Sequence, residues 1–175
     1  MKRLFVLAVA SLLVCLQASA QNVPQKCGYV NTETILNAIP EYKVATDKLQ
    51  ALGNQYQEAV KKDFAEIEKL YNTYQKQKAS MSASQRQAKE EEIINKEKAA
   101  KQKQQSYFGQ DGLMQKKSQE LVDPIKEKVQ KAIDIVAEKG GYMLIIDIAT
   151  SGGVVYAASA ADLSSQVISV YPTVK

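Results

Sequence analysis

The feature that most constrains this chain is a stretch of 99 residues, from Glu41 to Lys139, with the composition of long α-helices. It is rich in Lys, Glu, Gln and Ala, and it contains one Pro and three Gly. In its first half, apolar residues recur every three or four positions, with a mean step near 3.6, which keeps them on one face of a helix. These residues are Leu49, Leu52, Tyr56, Val60, Phe64, Ile67, Tyr71 and Tyr74.

This apolar stripe stops at a small, polar segment, residues 79–84, and resumes at Ile93. One helix of 99 residues is a poor match for the short body that the rest of the chain can form. We therefore predict two antiparallel helices with a turn near Ser82. Each would be about 60 Å long at 1.5 Å per residue. Facing residues should then have numbers that sum to about 164 or 165. The predicted pairs are Leu70–Ile94, Phe64–Ala100, Tyr56–Phe108, Leu52–Leu113 and Val44–Leu121.

The first 20 residues have the features of a signal peptide. Two basic residues at positions 2 and 3 precede an apolar run, Leu4–Leu16, and Ala18-Ser19-Ala20 is a small-x-small cleavage signal. The run is shorter than the ~20 residues that a transmembrane helix needs. Cys15 raises the alternative of a lipoprotein signal, but the bulky residue before it fits that processing poorly. We therefore expect export, cleavage after Ala20 and a soluble product.

The two ends of the remaining chain predict a small β body. Lys26–Val30 is a candidate strand, and a short helix at 33–38 follows, which Asn31 or Thr32 caps and Pro40 ends. Near the C-terminus, a helix ends at Gly140-Gly141 and an almost wholly apolar strand follows. That strand spans 142–148, and the later elements are a turn at 151–153, a partner strand at 154–157 and a helix at 163–170 capped by Asp162.

We therefore predict an α+β fold in which a long antiparallel helical hairpin is inserted into a small β body. Residues 21–40 and 123–175 form the body, and residues 41–122 form the arm, with its tip near 80–84. Pro124 marks the return of the arm to the body, either as a kink or as the start of a new helix. Because a body of about 55 residues has a poor core on its own, we expect it to oligomerise through its sheet.

Composition excludes several kinds of site. The 175 residues include no His and only two Cys, one of them in the predicted signal peptide. A Ser-His-Asp or Cys-His nucleophile pair, an imidazole or thiolate metal site and an internal disulfide of the mature chain are therefore ruled out. The sequence has no phosphate loop and no paired acids in an identifiable pocket. We expect a protein that is not an enzyme and that uses no cofactor, metal or ATP.

The distal arm is basic. Between Lys69 and Lys103 there are nine Lys or Arg and four acidic residues, a local charge of +5, whereas the mature chain as a whole carries +2. Such a basic arm would attract unfolded acidic chains or anionic lipid. The alternative is that the charge only keeps the arm soluble. The expected export argues against nucleic acid as a partner. The candidate binding residues combine aromatic, apolar and basic side chains near the tip: Tyr71, Tyr74, Met81, Ile93, Lys76, Lys78, Arg86 and Lys89.

Three glycines interrupt the arm, although each costs about 1 kcal/mol in a helix relative to Ala. In the predicted register, Gly53 lies opposite position 111, between Gly109 and Gly112. One interpretation is that small residues let the two backbones approach closely. The other is a hinge, at which both helices are weakened at the same height and the distal arm swings.

Four short motifs frame the Lys- and Gln-rich helices. Gly28-Tyr29-Val30-Asn31 opens the body, and Tyr142-Met143-Leu144-Ile145-Ile146-Asp147 closes it. Val154-Val155-Tyr156 and Asp162-Leu163-Ser164-Ser165-Gln166-Val167-Ile168 then follow. This ordered set resembles the Skp/OmpH family of periplasmic chaperones, over nearly the whole mature chain.

The resemblance implies a homotrimer, with a shared β-barrel-like core from which three helical hairpins hang and enclose a cavity. It also implies a periplasmic holdase that binds unfolded outer-membrane proteins in that cavity. A structural coiled-coil protein of the cell envelope is the alternative. The candidate residues of the shared core are Tyr29, Val30, Leu144, Ile145, Ile146 and Val155.

Overall fold

The computed structural model describes residues 26–174, so the predicted signal peptide lies outside the described residues. Short 3-10 turns occupy Lys78–Ser80, Ser159–Ala161 and Tyr171–Thr173. The helices and strands are, in chain order, β1 (Lys26–Val30), α1 (Thr32–Asn37), α2 (Pro40–Gln77), α3 (Ala83–Phe108), α4 (Leu113–Gly140), β2 (Tyr142–Asp147) and α5 (Ser164–Val170).

The sheet joins the two ends of the chain. β1 and β2 pair in parallel, with Gly28 opposite Ile145 and Tyr29 opposite Ile146. The prediction that β2 pairs with residues 154–157 is wrong, because that segment forms no strand and Val155 is 99% exposed. β2 takes its hydrogen bonds from β1, and directly after it the carboxylate of Asp147 accepts a bond from the backbone of Ala149, which turns the chain.

The core of the body is more helical than predicted. It lies where α1, α4 and α5 pack against the inner side of the sheet. Ile35, Leu163, Val167 and Val30 are its largest fully buried side chains. Val30, predicted to lie in a core shared between chains, is 1% exposed and packs within the core of its own chain.

Three local signals define the ends of the body helices. Asn31 caps α1, because its side-chain oxygen accepts a hydrogen bond from the backbone N–H of Thr34 at 2.9 Å. Pro40 does not end that helix; it is the first residue of α2, where its missing N–H costs nothing and its fixed φ suits the first turn. Gly141 ends α4 as predicted, with a left-handed φ of 65° that favours glycine.

The arm leaves the body as α2 and returns as two helices. Its turn lies where predicted, since Ser82 caps α3 and forms a reciprocal capping box with Gln85. The prediction of a single return helix that ends at position 122 is wrong, because α3 ends at Phe108 and α4 runs from Leu113 to Gly140. Pro124 lies inside α4 and removes one helical hydrogen bond without ending the helix. One helix therefore crosses the predicted boundary between arm and body.

Candidate functional site: the helical arm

The two helices of the hairpin, α2 and α3, meet along a narrow apolar seam. Val60, Ile67 and Tyr74 are buried on α2 at intervals of seven residues, and Ile93 and Ala100 are buried on α3 at the same interval. A seven-residue repeat is typical of coiled coils, whose helices keep one seam facing the partner. The seam is thus a coiled-coil contact only one layer thick.

The predicted register is confirmed at mid-arm. Tyr56 packs edge-to-face on Phe108, with ring centroids 6.4 Å apart, and it stacks on Tyr107 at 4.1 Å. Lys103 Nζ reaches Asp63 Oδ2 across the hairpin at 2.8 Å.

Elsewhere the register differs by one residue. Ile94, predicted to face Leu70, is 62% exposed, and its neighbour Ile93 is buried instead. In the same way, Val44 and Leu113 are exposed, and Ala45 is buried next to the expected position. One residue turns a side chain by about 100° on a helix, so it decides between seam and solvent. The seven-residue spacing of the buried residues is the sequence signal that would have selected Ile93.

Two predicted binding residues at the tip belong to the hairpin itself. Tyr74 and Ile93 are 3% and 6% exposed and share one apolar cluster with Ile67 and Ala100. Met81 is half-buried and packs against the same cluster. Because these side chains close the end of the hairpin, the tip is a small folded core and does not offer them to a ligand.

A polar contact holds this core together. The hydroxyl of Tyr74 donates a hydrogen bond to the carboxylate of Glu90 on the opposite helix. That bond, followed by burial, raises the pKa of Tyr74 above its ordinary value of 10.0. Lys78 Nζ lies 5.6 Å from the centre of the Tyr74 ring. The tip therefore combines an apolar layer with a polar clasp between its helices.

The predicted basic residues divide into exposed and paired side chains. Lys76, Lys78 and Arg86 are exposed, as is Tyr71 at 49%. Lys89 is half-buried and lies 2.7 Å from Glu92, whose pKa is lowered mainly by this hydrogen bond. Solvent-facing charge thus remains close to the tip.

The three predicted hinge glycines have different environments. Gly109 ends α3 and Gly112 caps α4, so both lie at the break in the return arm. A Cβ on Gly109 would lie 2.5 Å from the carbonyl oxygen of Gln105, and one on Gly112 would lie 2.8 Å from that of Gly109. Gly53 lies within the continuous α2, where a Cβ would only make ordinary contact with Met114 at 3.6 Å. Close backbone approach therefore requires glycine at the break but not on α2.

The predicted shared-core residues lie on both sides of the sheet. By the strand register, Tyr29, Leu144 and Ile146 alternate with residues that face the helices. Leu144 is 52% exposed, and Tyr29 and Ile146 are half-buried. Ile145 packs against the core of its own chain. The sheet thus presents an apolar outer face, and the exposed segment around Val155 follows it in the chain.

Residues 26–174 offer neither a metal site nor a membrane span. These residues contain no group of three or more acidic, Cys or His side chains that could hold a metal ion. None of their helices is long and apolar enough to cross a membrane.

The arm and the body together define a class of protein in which a long helical hairpin stands on a small α/β body. Residues 26–171 match the family model of the OmpH-like outer membrane proteins, and the chain belongs to this family. The resemblance seen in the short sequence motifs is thereby confirmed.

Individual proteins agree with this assignment. The chain is 26% identical to the chaperone protein Skp of Yersinia enterocolitica over 162 residues, which cover 93% of this chain and 95% of the relative. It is 26% identical to Skp of Pectobacterium atrosepticum over 175 residues, covering 96% and 98%. A crystal structure from Caulobacter crescentus, described as an OmpH-like outer membrane chaperone, has the same fold, with a TM-score of 0.66 at 11% identity over 85% of both chains.

Proposed function

We propose that this protein is an ATP-independent holdase chaperone of the periplasm, which binds unfolded outer-membrane proteins between helical arms and prevents their aggregation. The observation that carries the proposal is the arm itself, which buries one narrow seam and exposes most of its surface. Its length offers many weak contacts and no deep pocket, which suits clients of varied sequence. Membership of the OmpH-like family and the likeness to two Skp chaperones support the role.

The proposed active form is a homotrimer with a shared, barrel-like core. A two-stranded sheet is marginal alone, and parallel sheets are normally covered on both faces. Here the outer face carries Leu144 at 52% exposure, and Val155 and Tyr156 are 99% and 86% exposed. Three sheets that pack together would bury these side chains and hold three arms around one cavity.

The exposed residues near the tip are the proposed first contacts of the arm with a client. Tyr71 supplies an aromatic surface, and Lys76, Lys78 and Arg86 supply positive charge. The same charge would attract the headgroups of anionic lipid at a membrane surface. The break between Gly109 and Gly112 is the proposed hinge of the distal arm, because it interrupts one of the two helices that stiffen the arm.

The test uses an outer-membrane β-barrel protein, unfolded in urea and then diluted in the presence of this protein. We expect light scattering by aggregates to fall without ATP, and the mass of the free protein to be three times that of one chain. A variant in which a short Gly/Ser turn replaces residues 71–93 lacks the distal arm and should still assemble from three chains while protection is abolished. Unchanged aggregation with the intact protein would overturn the proposal, and filaments or elongated dimers would favour the envelope scaffold.

A further inference from the structure

The side of α3 that is turned away from the seam carries a second surface, which is separate from the exposed residues near the tip. Two shallow depressions, of about 430 and 560 Å³, adjoin there and share Gln102 and Gln105. The first begins at Ile94, and the second extends beyond the break in the return arm to Leu113 and Lys116. We call the continuous surface the α3 groove, lined chiefly by Ile94, Lys98, Lys101, Gln102, Gln105 and Leu113.

Each depression of the α3 groove contains one exposed apolar side chain. Ile94 is 62% exposed and Leu113 is 41% exposed, although neither contributes to the buried seam. Phe108 lies 14 residues after Ile94, on the same stripe of the helix, and is held edge-on by Tyr56 while 46% exposed. The distance from Ile94 to Phe108 is about 21 Å at the helical rise, the length of about six residues of extended chain.

The middle of the groove offers hydrogen bonds and positive charge. Within residues 26–174, the side-chain amides of Gln102 and Gln105 make no hydrogen bond, whereas that of Gln87 donates to Glu91 at 2.9 Å. An amide both donates and accepts, so it can pair with the N–H and C=O groups of an unfolded backbone. Lys98 and Lys101 lie beside these amides and outnumber the single acid of that depression, Glu97.

We propose that the α3 groove binds an extended segment of an unfolded polypeptide. Apolar side chains of the segment lie at Ile94 and Leu113, its backbone pairs with the two glutamine amides, and an acidic side chain lies near Lys98 and Lys101. This inference rests on the proposed chaperone function and places a main client contact on the face of α3 that is turned away from the seam with α2. Strands of outer-membrane proteins alternate apolar and polar residues over about ten positions, so such a segment carries both the apolar side chains for Ile94 and Leu113 and the polar side chains for the residues between them.

Photo-crosslinking of the full-length protein tests the location. A photoreactive phenylalanine derivative is placed at Lys101 or Gln105 and, as matched controls, at the exposed outward positions Gln57 or Lys61 of α2. With a urea-unfolded outer-membrane β-barrel protein as client, we expect crosslinks from the two α3 positions and at least about five times fewer from α2. Equal crosslinking from both helices, or crosslinks from α2 alone, would overturn the groove.

Charge reversal tests the chemistry. Lys98→Glu with Lys101→Glu should weaken client binding by about tenfold at low salt, because like charges then face the acidic client side chain. The control Lys61→Glu with Lys62→Glu changes the net charge equally on α2 and should have little effect. An equal loss in both double variants would assign the effect to net charge and sink the groove. If the unaltered protein protects the client while the groove variants bind normally, the chaperone function stands and the groove does not; if it protects no client, the proposed function itself fails.

Discussion

Asp147 ties the end of β2 to the start of α1 through one side chain. Its carboxylate accepts hydrogen bonds from the backbone and hydroxyl of Thr32, at 3.1 and 2.7 Å, and from Ala149 N and Thr150 Oγ1 at 3.1 and 3.0 Å. Burial on its own would raise the pKa of this carboxyl group, but the four hydrogen bonds outweigh it and lower the pKa below the ordinary value of 3.8. The folded body therefore favours the ionised form.

Asp147→Asn should destabilise the body by about 1 to 2 kcal/mol at neutral pH, because an amide accepts fewer and weaker hydrogen bonds than a carboxylate. Since the folded-state pKa is lowered, this stabilisation is present above pH 3.8 and is lost as the pH falls through the folded-state value. Thermal unfolding followed by circular dichroism should therefore separate the variant from the parent at neutral pH and bring them together in acid. The control is Asp123→Asn on the exposed face of α4, and a difference that persists in acid would contradict the account.

Tyr74→Phe should loosen the tip, because it removes the hydroxyl that donates to Glu90 and keeps the aromatic ring. We expect faster amide hydrogen exchange at the tip and unchanged exchange in the body. In the parent, the raised pKa means that this stabilisation is present below pH 10.0 and is lost as the pH rises through the folded-state value. Tyr71→Phe, on an exposed residue of the same helix, should leave exchange unchanged; equal effects of both variants would dismiss the clasp.

At the scale of the elements, the break in the return arm distinguishes the glycines. Gly112→Ala should destabilise the protein by about 1 to 3 kcal/mol, because its Cβ would press on the carbonyl oxygen of Gly109, which cannot move without the chain. Gly53→Ala should stabilise α2 by roughly 0.5 to 1 kcal/mol, since it removes glycine from a continuous helix with room for the methyl group. Thermal unfolding of the two variants should shift in opposite directions. A shift of the same sign would show that the two sites share one role.

The helices could be predicted from the sequence because their signals are local. The composition of residues 41–139, the cap at Ser82 and the left-handed Gly141 each act within a few residues. The break after Phe108 could not be placed, because glycine alone does not decide between a tolerated helical residue and a chain reversal. Asp111 takes the positive φ of 60° there, although two glycines flank it. The choice of Ile93 over Ile94, in contrast, could be predicted from the sequence, because Ile93 and Ala100 are seven residues apart, as the buried residues of α2 are.

At the scale of the whole molecule, the outer face of the sheet predicts an assembly. Leu144→Asp should yield chains of monomer mass that keep their helical circular dichroism, because the side chain is 52% exposed in the single chain. Ile145→Asp is a poorer test, since Ile145 packs into its own core and the variant would unfold the body. Val44→Asp, at an equally exposed position of the arm, is the control. An assembled Leu144→Asp variant would place the interface elsewhere.

The sequence alone could not predict which faces of the body are left exposed by its own chain. The run from Met143 to Ile148 is apolar at nearly every position, so its pattern predicts a strand covered on both sides and cannot tell which cover comes from the same chain. The pairing of β2 with β1 could not be predicted either, because parallel pairing depends on a crossover that brings distant segments together. The candidate client surface on α3 could not be predicted for a similar reason, because exposed Gln and Lys are ordinary on any solvated helix.

The parallel pairing of β1 and β2 also predicts an order of folding. The end of β1 and the start of β2 are separated by 111 residues, so the first strand is synthesised well before its partner. The arm depends on contacts between its own neighbouring helices and has no need to wait for β2. Once α2 and α4 lie side by side, as they do in the folded chain, the two ends of the insertion are already close, and the remaining search for β2 is short. We therefore expect the hairpin to fold first and to bring β1 and β2 together, so that the body assembles on it.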